Sequence, residues 1–283
     1  MRNKIERAIR LLRSITLHNG EPIEIAYSGG KDSDIILELA RMAGIKYRAI
    51  YRCTTIDPPG TIKHCKDNGV EIVRPKKTFA KLLAKKGMPN RFYRFCCSSL
   101  KEYPILYNVV IGVRREESAA RAKRYVEPVV CKVYNKSKNL RVQQILPILD
   151  WTIDDELQFI KERGLRLHPL YYREDGSLDL TKRLGCMCCP LAWYKTRWQE
   201  FEKHPIMLRF YLRGAKAFWD AHPRSSTQNK YRSVYEWLYA EVMFPNYAMF
   251  LENEKNTMFY TEHSEEWYKR ELEKKFNINL CNI

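Results

Sequence analysis

Residues 23–44 read IEIAYSGGKDSDIILELARMAG. The run from Ile23 to Tyr27 is short and β-forming, and the run from Asp34 to Gly44 has helical periodicity with a glycine at its end. The motif SGGKDS therefore joins a strand to a helix. Two glycines permit a tight turn whose backbone N–H groups face one concavity, and the helix N-terminus behind them adds positive potential. This arrangement predicts a phosphate-binding turn.

The turn supplies the first group of candidate site residues. Its hydroxyl groups can donate hydrogen bonds, and its polar atoms can hold phosphate oxygens or Mg²⁺. The residues assigned to nucleotide binding are Ser28, Gly29, Gly30, Lys31, Asp32 and Ser33, of which Lys31 and Asp32 are also predicted to be catalytic. The spacing is not that of a Walker A loop. The alternative is an ordinary turn between a strand and a helix.

Further strands and helices alternate along the first part of the chain. Strands are predicted over residues 47–53, 71–73, 107–113 and 141–146, and helices over residues 3–17, 58–69, 79–86 and 152–164. Thr152 is the predicted N-cap of the last of these helices, with Asp155 three residues later. Such alternation is typical of parallel βαβ units. We therefore expect an α/β fold with a parallel twisted sheet, Rossmann-like, and helices on both faces.

Beyond Gly185 the sequence changes to long aromatic helices. They are predicted over residues 191–216, with a break at Pro205, over residues 231–243 and over residues 264–275. We expect a nucleotide-binding α/β domain over residues 1–180 and a helical C-terminal region, or cap, over residues 181–283. Core positions rather than a base-stacking surface are expected for Trp193, Trp198, Trp219 and Trp237.

Positive charge is concentrated in one window of the sequence. The 283 residues carry a net charge of +17, from 50 Lys and Arg against 33 Asp and Glu. The window 41–141 holds 24 basic and 7 acidic residues, and the stretch 74–101 inside it holds nine basic residues and no acidic one. Such a window favours a polyanionic partner, DNA or RNA, or a highly charged small substrate; the alternative is a solvated face.

A second group of candidate site residues lies in GVRREESAAR, residues 112–121, which follows a predicted buried strand and opens a helix. The guanidinium groups of Arg114, Arg115 and Arg121 suit the binding of phosphate or sulfate oxygens. Arg114 and Arg121 are predicted to be catalytic, by stabilising charge on the transferring group. The alternative is an exposed helix start with Arg–Glu pairs.

These motifs carry a family resemblance. SGGKDS resembles the PP-loop of the adenine-nucleotide α-hydrolases, which cleave ATP between its α and β phosphates. GVRREESAAR, TTIDPP at residues 54–59 and PILDWTIDD at residues 147–155 look like the phosphoadenosine phosphosulfate (PAPS) reductase family, and the resemblance spans about residues 22–192. It implies a PP-loop fold that binds ATP or a sulfonucleotide, and it adds to the binding residues Asp57, Gly112, Arg115 and Ser118. Glu117 stands where Gln is common in that family.

Two cysteine groups form the third constellation. RFCCSSL contains Cys96 and Cys97, and GCMCCPL contains Cys186 and Cys189; four thiolates are enough for zinc or an iron–sulfur cluster. Zinc would hold its sulfurs about 3.8 Å apart, which is awkward for adjacent residues, whereas a cluster spreads its thiolates over several irons. The pattern is similar to that of adenylylsulfate reductases and of the sulfur-transfer protein of DNA phosphorothioation, which implies a 4Fe–4S cluster.

The alternatives for these cysteines are zinc or plain burial. Cys188 is interpreted as a spare residue, and core positions are expected for Cys53, Cys65 and Cys131.

The C-terminal sequence departs from the family pattern. Sulfonucleotide reductases carry a nucleophilic cysteine in a Glu-Cys-Gly-x-His tail, but this chain ends in NINLCNI. Cys281 has no Glu before it, no Gly after it and no His beyond it. The resemblance therefore implies the fold more firmly than it implies reduction of a sulfonucleotide.

Three functions remain open from the sequence. The leading one is activation of an acceptor by ATP, with pyrophosphate release and sulfur transfer to nucleic acid. The second is an adenylylsulfate or PAPS reductase that releases sulfite, with Cys281 as nucleophile and a thioredoxin-like protein as reductant. The third is a non-catalytic, nucleotide-dependent regulatory module. A second protein subunit is a further expected partner.

The sequence contains no candidate membrane span. The most apolar stretch, residues 233–251, is interrupted by Glu236 and Glu241, whereas a span needs about 18 nearly uncharged residues. The N-terminal residues spread their charges at helical spacing and show no secretory signal. We therefore expect a cytoplasmic protein.

Overall fold

The computed structural model describes residues 1–90, 92–135, 140–255 and 263–280. Contacts group them into two units. The first unit consists of Met1–Cys53, Asp57–Pro75 and Lys101–Leu184, and the second of Thr54–Ile56, Lys76–Leu100 and Gly185–Ile283. The predicted domain boundary at residue 180 stays a prediction, because units of contact are not by themselves independently folding domains.

The first unit contains a six-stranded sheet. Its strands are β1 Ile23–Tyr27, β2 Tyr47–Arg52, β3 Glu71–Val73, β4 Asn108–Val110, β5 Val129–Asn135 and β6 Leu140–Ile145. They lie in the order β3-β2-β1-β4-β6-β5. All neighbours are parallel except β5, which pairs antiparallel with β6. The predicted α/β fold with a parallel sheet is confirmed.

The helices match most of the predicted segments. They are α1 Arg2–Arg13, α2 Lys31–Ala43, α3 Thr61–Asp67, α4 Phe79–Lys86, α5 Phe95–Leu100, α6 Ala119–Arg124, α7 Ile153–Arg163, α8 Tyr194–Lys203, α9 Ile206–Ala221, α10 Val234–Met243, α11 Tyr247–Lys255 and α12 Glu265–Phe276. Three predicted elements were too long, since α1 ends at Arg13, α3 covers seven residues and β4 covers three. The sequence reasoning did not identify β5, α5 or α11.

A buried carboxylate fixes the centre of the sheet. Glu24, in β1, has no exposed surface and pairs with Arg52 at the end of β2. Its second oxygen accepts hydrogen bonds from the backbone N–H groups of Ile105 (2.9 Å) and Leu106 (3.0 Å). A buried charge is tolerated only when it is paired in this way. Glu24 therefore holds the segment that leads into β4 beside β1. The two candidate loops follow these two strands.

The second unit is helical and has its own core. The apolar face of α4 packs on α9, and Phe79 and Leu83 meet Leu208 and Tyr211 there. Trp237 is buried in this core as expected, but Trp193 is 52% exposed, contrary to the expectation for it. Among the described helices, none is both long enough and apolar enough to cross a lipid bilayer.

Candidate functional site

A cavity of about 390 Å³ lies at the loops that follow β1 and β4. The chain runs from β1 to β2 and β3 on one side and places β4 on the other side, so this is the point where the strand order reverses. Ligands of open α/β sheets bind at such points, beyond the carboxyl ends of the strands. The cavity is lined by Ser28, Gly30, Lys31, Asp32, Gly112, Arg114, Glu117, Arg121, Ile153, Tyr171, Leu180, Thr181, Lys182, Arg183 and Leu184.

The SGGKDS turn adopts the expected strand–turn–helix form. Gly29 has a φ of +78°, which L side chains rarely adopt, and Gly30 is the N-cap of α2. A Cβ on Gly29 would lie 3.1 Å from Leu184 Cδ2, and a Cβ on Gly30 would lie 3.2 Å from the Tyr171 hydroxyl. Both glycines therefore keep a cradle open that larger residues would fill. Such a cradle at a helix N-terminus fits the phosphates of a nucleotide.

The second loop approaches the first so closely that only glycine fits at its start. A Cβ on Gly112 would lie 2.8 Å from Asp32 Cβ and 3.0 Å from the Asp32 carbonyl oxygen. Contacts under 3.0 Å between such atoms are not tolerated in packed proteins. Gly112 therefore allows the arginine loop to reach the start of α2.

Four charged side chains form a compact cluster on the cavity wall. Lys31 Nζ lies 2.9 Å from Asp32 Oδ1 and 2.8 Å from Glu156 Oε2. Arg114 Nε lies 3.3 Å from Asp32 Oδ1 and 3.0 Å from Glu156 Oε1. Glu156, on α7, is fully buried. The cluster pairs two cations with two carboxyl groups, so each side chain is held in place by two others.

The two carboxyl groups of this cluster have opposite pKa shifts. Burial and the neighbouring Asp32 raise the pKa of Glu156 to about 9. Burial opposes ionisation of Asp32 as well, but the hydrogen bond with Glu156 and the charges of Lys31 and Arg114 lower its pKa to about 2. Paired carboxyl groups that share a proton behave in this way. Asp32 is thus the ionised member, with an exposed part that can meet Mg²⁺.

Glu117 joins two further arginines of the cavity. Its carboxylate pairs with Arg121, and its other oxygen lies 2.7 Å from Arg183 Nη2. Lys182 also lines the cavity, so five basic side chains face two acidic ones among the lining residues. The excess of positive charge suits an anionic ligand.

The structure places most of the candidate residues together. Ser28, Gly30, Lys31, Asp32, Gly112, Arg114 and Arg121 line the cavity, and Gly29 shapes the turn beneath it. Ser33 faces inward, and its hydroxyl donates to the Gly30 carbonyl at 2.6 Å. Neither Gly29 nor Ser33 is itself a lining residue, and the remaining three candidates also lie outside the lining.

Those three have other contacts. Asp57 accepts a hydrogen bond from the Cys53 thiol at 3.3 Å. Arg115 pairs with Asp150 and donates to the carbonyl oxygen of Tyr125 at 3.0 Å. Ser118 is the N-cap of α6. These contacts help to shape the loops in which the three residues lie. Direct binding of a ligand by these three residues stays a prediction.

The sequence reasoning missed Glu156, Tyr171 and Arg183. Glu156 follows two other acidic residues in the first turn of α7, where acidic residues are common for reasons of the helix dipole, so the sequence did not single it out. The Tyr171 hydroxyl accepts long hydrogen bonds from the N–H groups of Lys31 (3.3 Å) and Leu184 (3.4 Å). Only the tertiary fold brings it to the turn.

The cysteines assigned to a metal all belong to the second unit. Cys96 and Cys97 lie on α5, and their thiols interact directly; this contact, with burial and the nearby Cys97 and Cys189 thiols, raises the pKa of Cys96. The Cys186 thiol lies 3.6 Å from Thr54 Oγ1. Burial, followed by the thiols of Cys189, Cys188, Cys186 and Cys96, raises the pKa of the Tyr211 hydroxyl. The two cysteine groups therefore converge around one tyrosine.

The donor set, four thiols, is one that zinc and iron–sulfur clusters both use. Among the described residues, no three His, Cys, Asp or Glu side chains are arranged around one point as the ligands of one metal ion. The choice between zinc and a cluster therefore stays a prediction. Cys188 is buried, and burial, Glu200 and Cys189 raise the pKa of its thiol to about 12. Its interpretation as a spare stays a prediction.

Two cysteine predictions have other outcomes. Cys131 is exposed on the edge strand β5, so the expectation of a core position for it is wrong. Cys281 lies outside the described residues.

Comparisons with known proteins agree on a family. Residues 22–192 match the family model of the phosphoadenosine phosphosulfate reductase domain. An uncharacterized protein of Methanocaldococcus jannaschii is 33% identical over 184 residues, which are 60% of this chain and 42% of that protein. An uncharacterized 37.8 kDa protein of Escherichia phage 186 is 31% identical over 152 residues, which are 46% of this chain and 42% of that protein. The matches thus cover about two fifths of the length of these relatives.

Two solved structures are similar to the chain at low identity. The phosphoadenylyl-sulfate (PAPS) reductase of Candida auris, in a phosphate complex, has a TM-score of 0.45 and 16% identity, over 63% of this chain and 87% of that one. The U34-tRNA thiolase NcsA of Methanococcus maripaludis, with its [4Fe-4S] cluster, has a TM-score of 0.41 and 17% identity, over 78% of this chain and 80% of that one.

Proposed function

Because the chain belongs to the phosphoadenosine phosphosulfate reductase domain family, we propose that it is an enzyme of sulfur chemistry that binds an adenine nucleotide in the cavity beside β1 and β4. The reaction we propose is activation of a nucleic-acid oxygen by ATP, followed by replacement of that oxygen with sulfur. The observation that carries the nucleotide part is the glycine cradle at the switch point of the sheet, lined by an excess of cations.

The chemistry of the proposed reaction balances without a reductant. The acceptor oxygen attacks the α phosphorus of ATP, and pyrophosphate leaves with the bonding electrons. Sulfur at the oxidation level of sulfide then attacks the activated centre of the nucleic acid, and AMP leaves with the original oxygen. No electrons are gained or lost, so the reaction needs ATP and a sulfide donor.

The chain's own side chains would hold the triphosphate and stabilise the charge that moves. Backbone N–H groups and the Ser28 hydroxyl of the turn would bind phosphate oxygens, and Asp32 would stay ionised for Mg²⁺. Arg114 and Arg121 would offset the charge that develops on the leaving pyrophosphate. Lys31, tied to Glu156, is a positioning residue for this wall as well as a candidate contact to phosphate.

The sulfur part of the proposal rests on the second unit. Cys96, Cys97, Cys186 and Cys189 would hold a 4Fe–4S cluster and would ligate all four of its irons, so sulfide would bind an iron only on displacing one of these thiolates. The stretch 76–100 that leads into the first cysteine pair contains no acidic residue, and Lys76, Lys77, Lys81, Lys85 and Arg94 in it are exposed. This stretch would bind the nucleic-acid backbone.

A sulfonucleotide reductase is the second candidate, and the family match itself favours it. In that reaction a thiolate attacks the sulfate sulfur of adenylylsulfate or PAPS and the nucleotide leaves. A thioredoxin-like dithiol would then release sulfite and restore the thiol. Cys281 would be the nucleophile, so sulfite release would be lost in Cys281→Ser. A regulatory module would bind nucleotide and turn over none of these substrates.

The test is anaerobic purification of the full chain, with iron and acid-labile sulfide counted per chain. Pyrophosphate release from ATP is then measured with and without single-stranded RNA or DNA, beside sulfite release from the two sulfonucleotides. We expect four irons per chain and pyrophosphate release that nucleic acid stimulates. The Cys189→Ser variant should lose iron, whereas Cys131→Ser, on the exposed edge strand, should keep it. Sulfite release without any effect of nucleic acid on ATP turnover would favour the reductase.

A further inference from the structure

The helical unit contains a cavity that the proposed chemistry does not use. Its volume is about 520 Å³, within the range of about 300–1,000 Å³ that is usual for small-molecule sites. Aromatic rings dominate its lining, together with two cations and one carboxylate. Its lining includes Asn90, Phe92, Trp193, Lys230, Glu241 and Tyr247. We call this site the aromatic cavity.

The rings of the aromatic cavity are held by one another and by a cation. Lys230 Nζ lies 3.9 Å from the centroid of the Tyr247 ring, and the Tyr247 hydroxyl donates to the Lys230 carbonyl at 2.9 Å. The Tyr247 ring also meets Tyr231 edge-on, with centroids 5.2 Å apart. The Trp193 ring lies 4.7 Å from that of Tyr194. These contacts give flat apolar faces in defined positions, which is what stacking of a planar ligand requires.

Two of the lining rings face water. Phe92 is fully exposed and Trp193 is 52% exposed, while Trp237 and Tyr211 of the same unit are buried. Exposed aromatic side chains grouped at the mouth of a cavity are a common mark of a ligand-binding site.

Polar groups lie among the rings. The Glu241 carboxylate is 3.4 Å from the Tyr231 hydroxyl, and burial raises the pKa of Glu241. Arg197 donates to the carbonyl oxygens of Pro190 (3.1 Å) and Phe244 (3.0 Å), which fixes two walls of the cavity. Pro190 directly follows Cys189 in the chain. A few polar groups within an apolar cavity are typical of sites that read the edge of a heterocycle.

The charge around the aromatic cavity identifies the class of ligand. Asn90 and Phe92 belong to the stretch 76–100, which has no acidic residue, and the nearby Arg94 is exposed. Stacking faces beside a basic stretch are the combination by which proteins bind single-stranded nucleic acid, since the cations bind phosphates and the rings bind bases. An uncharged apolar ligand would gain nothing from the basic stretch.

We propose that the aromatic cavity binds an unstacked base of a single-stranded nucleic acid, stacked against Trp193 and Phe92, with the adjoining phosphates on the stretch 76–100. This inference rests on the proposed function for its choice of nucleic acid as acceptor, and it names the residues that recognise that acceptor.

The test compares two kinds of polyanion, one with bases and one without, on the full chain. A short single-stranded RNA, a DNA of the same sequence and inorganic polyphosphate are titrated into the wild type and into Trp193→Ala and Phe92→Ala. Loss of one stacking partner should weaken oligonucleotide binding about 5- to 100-fold and leave polyphosphate binding unchanged. Tyr93→Ala is the matched control, because Tyr93 is an exposed aromatic residue of the same stretch that does not line the cavity. Lys81→Ala should weaken the binding of both polyanions.

Equal effects of Trp193→Ala on oligonucleotide and polyphosphate, or no effect on either, would overturn the inference. Binding of the wild type to RNA and DNA with different affinity would show which acceptor the cavity prefers. Pyrophosphate release from ATP alone is measured in parallel and separates the two proposals. If the variants bind oligonucleotide normally while nucleic acid still stimulates ATP turnover, the aromatic cavity is not the base site and the proposed function stands. If base-dependent binding is present without ATP turnover, the proposed function fails and the aromatic cavity stands.

Discussion

Glu117 adds negative charge to a cavity whose lining carries an excess of cations. Its carboxylate joins Arg121 and Arg183, so both guanidinium groups are partly neutralised before any ligand arrives. An anionic ligand must compete with this carboxylate for the same donors. The sequence marked this position only as a Glu where the related family commonly has Gln, and the structure gives that difference a physical meaning.

We predict that Glu117→Gln strengthens nucleotide binding. Removing one negative charge near bound phosphates relieves about 1 kcal/mol of repulsion, which is the energy between two unit charges about 4 Å apart in water. This energy corresponds to about fivefold in affinity. Isothermal titration with a non-hydrolysable ATP analogue measures the effect. Asp220→Asn, an exposed charge change in the helical unit, should leave affinity unchanged. Weaker binding by Glu117→Gln would show that the carboxylate orders the arginines rather than competes with the ligand.

Glu156 makes stability depend on pH. Its ordinary pKa is 4.5, and burial and Asp32 raise the folded value to about 9. Between these two values the unfolded chain loses the proton while the folded chain keeps it, so the free energy of unfolding falls as the pH rises from about 5 to about 9. Glu156→Gln stays uncharged in both states and should abolish this contribution.

Urea unfolding of the wild type and Glu156→Gln at pH 5, 7 and 9 measures it. The variant should gain on the wild type as the pH rises, whereas Glu162→Gln, an exposed change on the same helix, should run parallel to the wild type. A variant that loses stability most at pH 9 would show that the ionised carboxylate, not the acid, is the stable form.

At the scale of elements, the sequence predicted features that depend on neighbouring residues, but it did not predict how the last two strands pair. The capping pair of Thr152 and Asp155 is present at the start of α7, because caps depend on residues three apart. The break between α8 and α9 falls at Pro205, as predicted. β5 escaped prediction although its sequence, VVCKVYN, is rich in β-forming residues. It pairs antiparallel with β6, so it falls outside the alternation of parallel strands and helices on which the prediction rested.

The contact between α4 and α9 depends on one helical glycine. A Cβ on Gly214 would lie 2.2 Å from Leu83 Cδ2 and 2.7 Å from Leu83 Cγ, so the two helices can approach only because this residue is glycine. The helix propensity of alanine would favour Gly214→Ala by about 1 kcal/mol. Overpacking costs about 1–3 kcal/mol and here involves a fully buried leucine, so the cost exceeds the gain.

We predict that Gly214→Ala lowers the melting temperature by several degrees. The double variant Leu83→Ala/Gly214→Ala should be more stable than the sum of the two single changes implies, because the new methyl group enters the space that the leucine leaves. Thermal unfolding of all four proteins gives the coupling energy. Additive effects would mean that the two residues do not interact and that Gly214 is not the point of contact between α4 and α9.

At the scale of the whole molecule, the basic window predicts how binding depends on salt. If about five phosphates of a single strand are contacted, affinity should fall about 100-fold between 50 and 200 mM salt, because bound counterions are released. Fluorescence anisotropy with a labelled oligonucleotide measures the slope. A nearly flat slope would mean that the positive charge is a solvated face, which was the alternative at the outset.

The sequence predicted the sheet, the phosphate turn and the arginine loop because each is encoded over a few neighbouring residues. Glu156, Tyr171 and Arg183 could not be predicted from the sequence, because they lie 125 or more residues after the start of the SGGKDS turn and only the tertiary fold brings them near it. The convergence of the two cysteine pairs was predicted from their chemistry, but their placement in one unit follows from long-range packing of α4 and α5 with the later helices.

The helical unit is assembled from three separate stretches, Thr54–Ile56, Lys76–Leu100 and Gly185–Ile283. No single continuous fragment of the chain therefore contains this whole unit alone. A fragment that starts near residue 181 would lack α4 and α5, and with them the first cysteine pair and the leucine that faces Gly214. Any continuous segment that carries both cysteine pairs therefore also carries residues 101–184, and with them the arginine loop of the first unit.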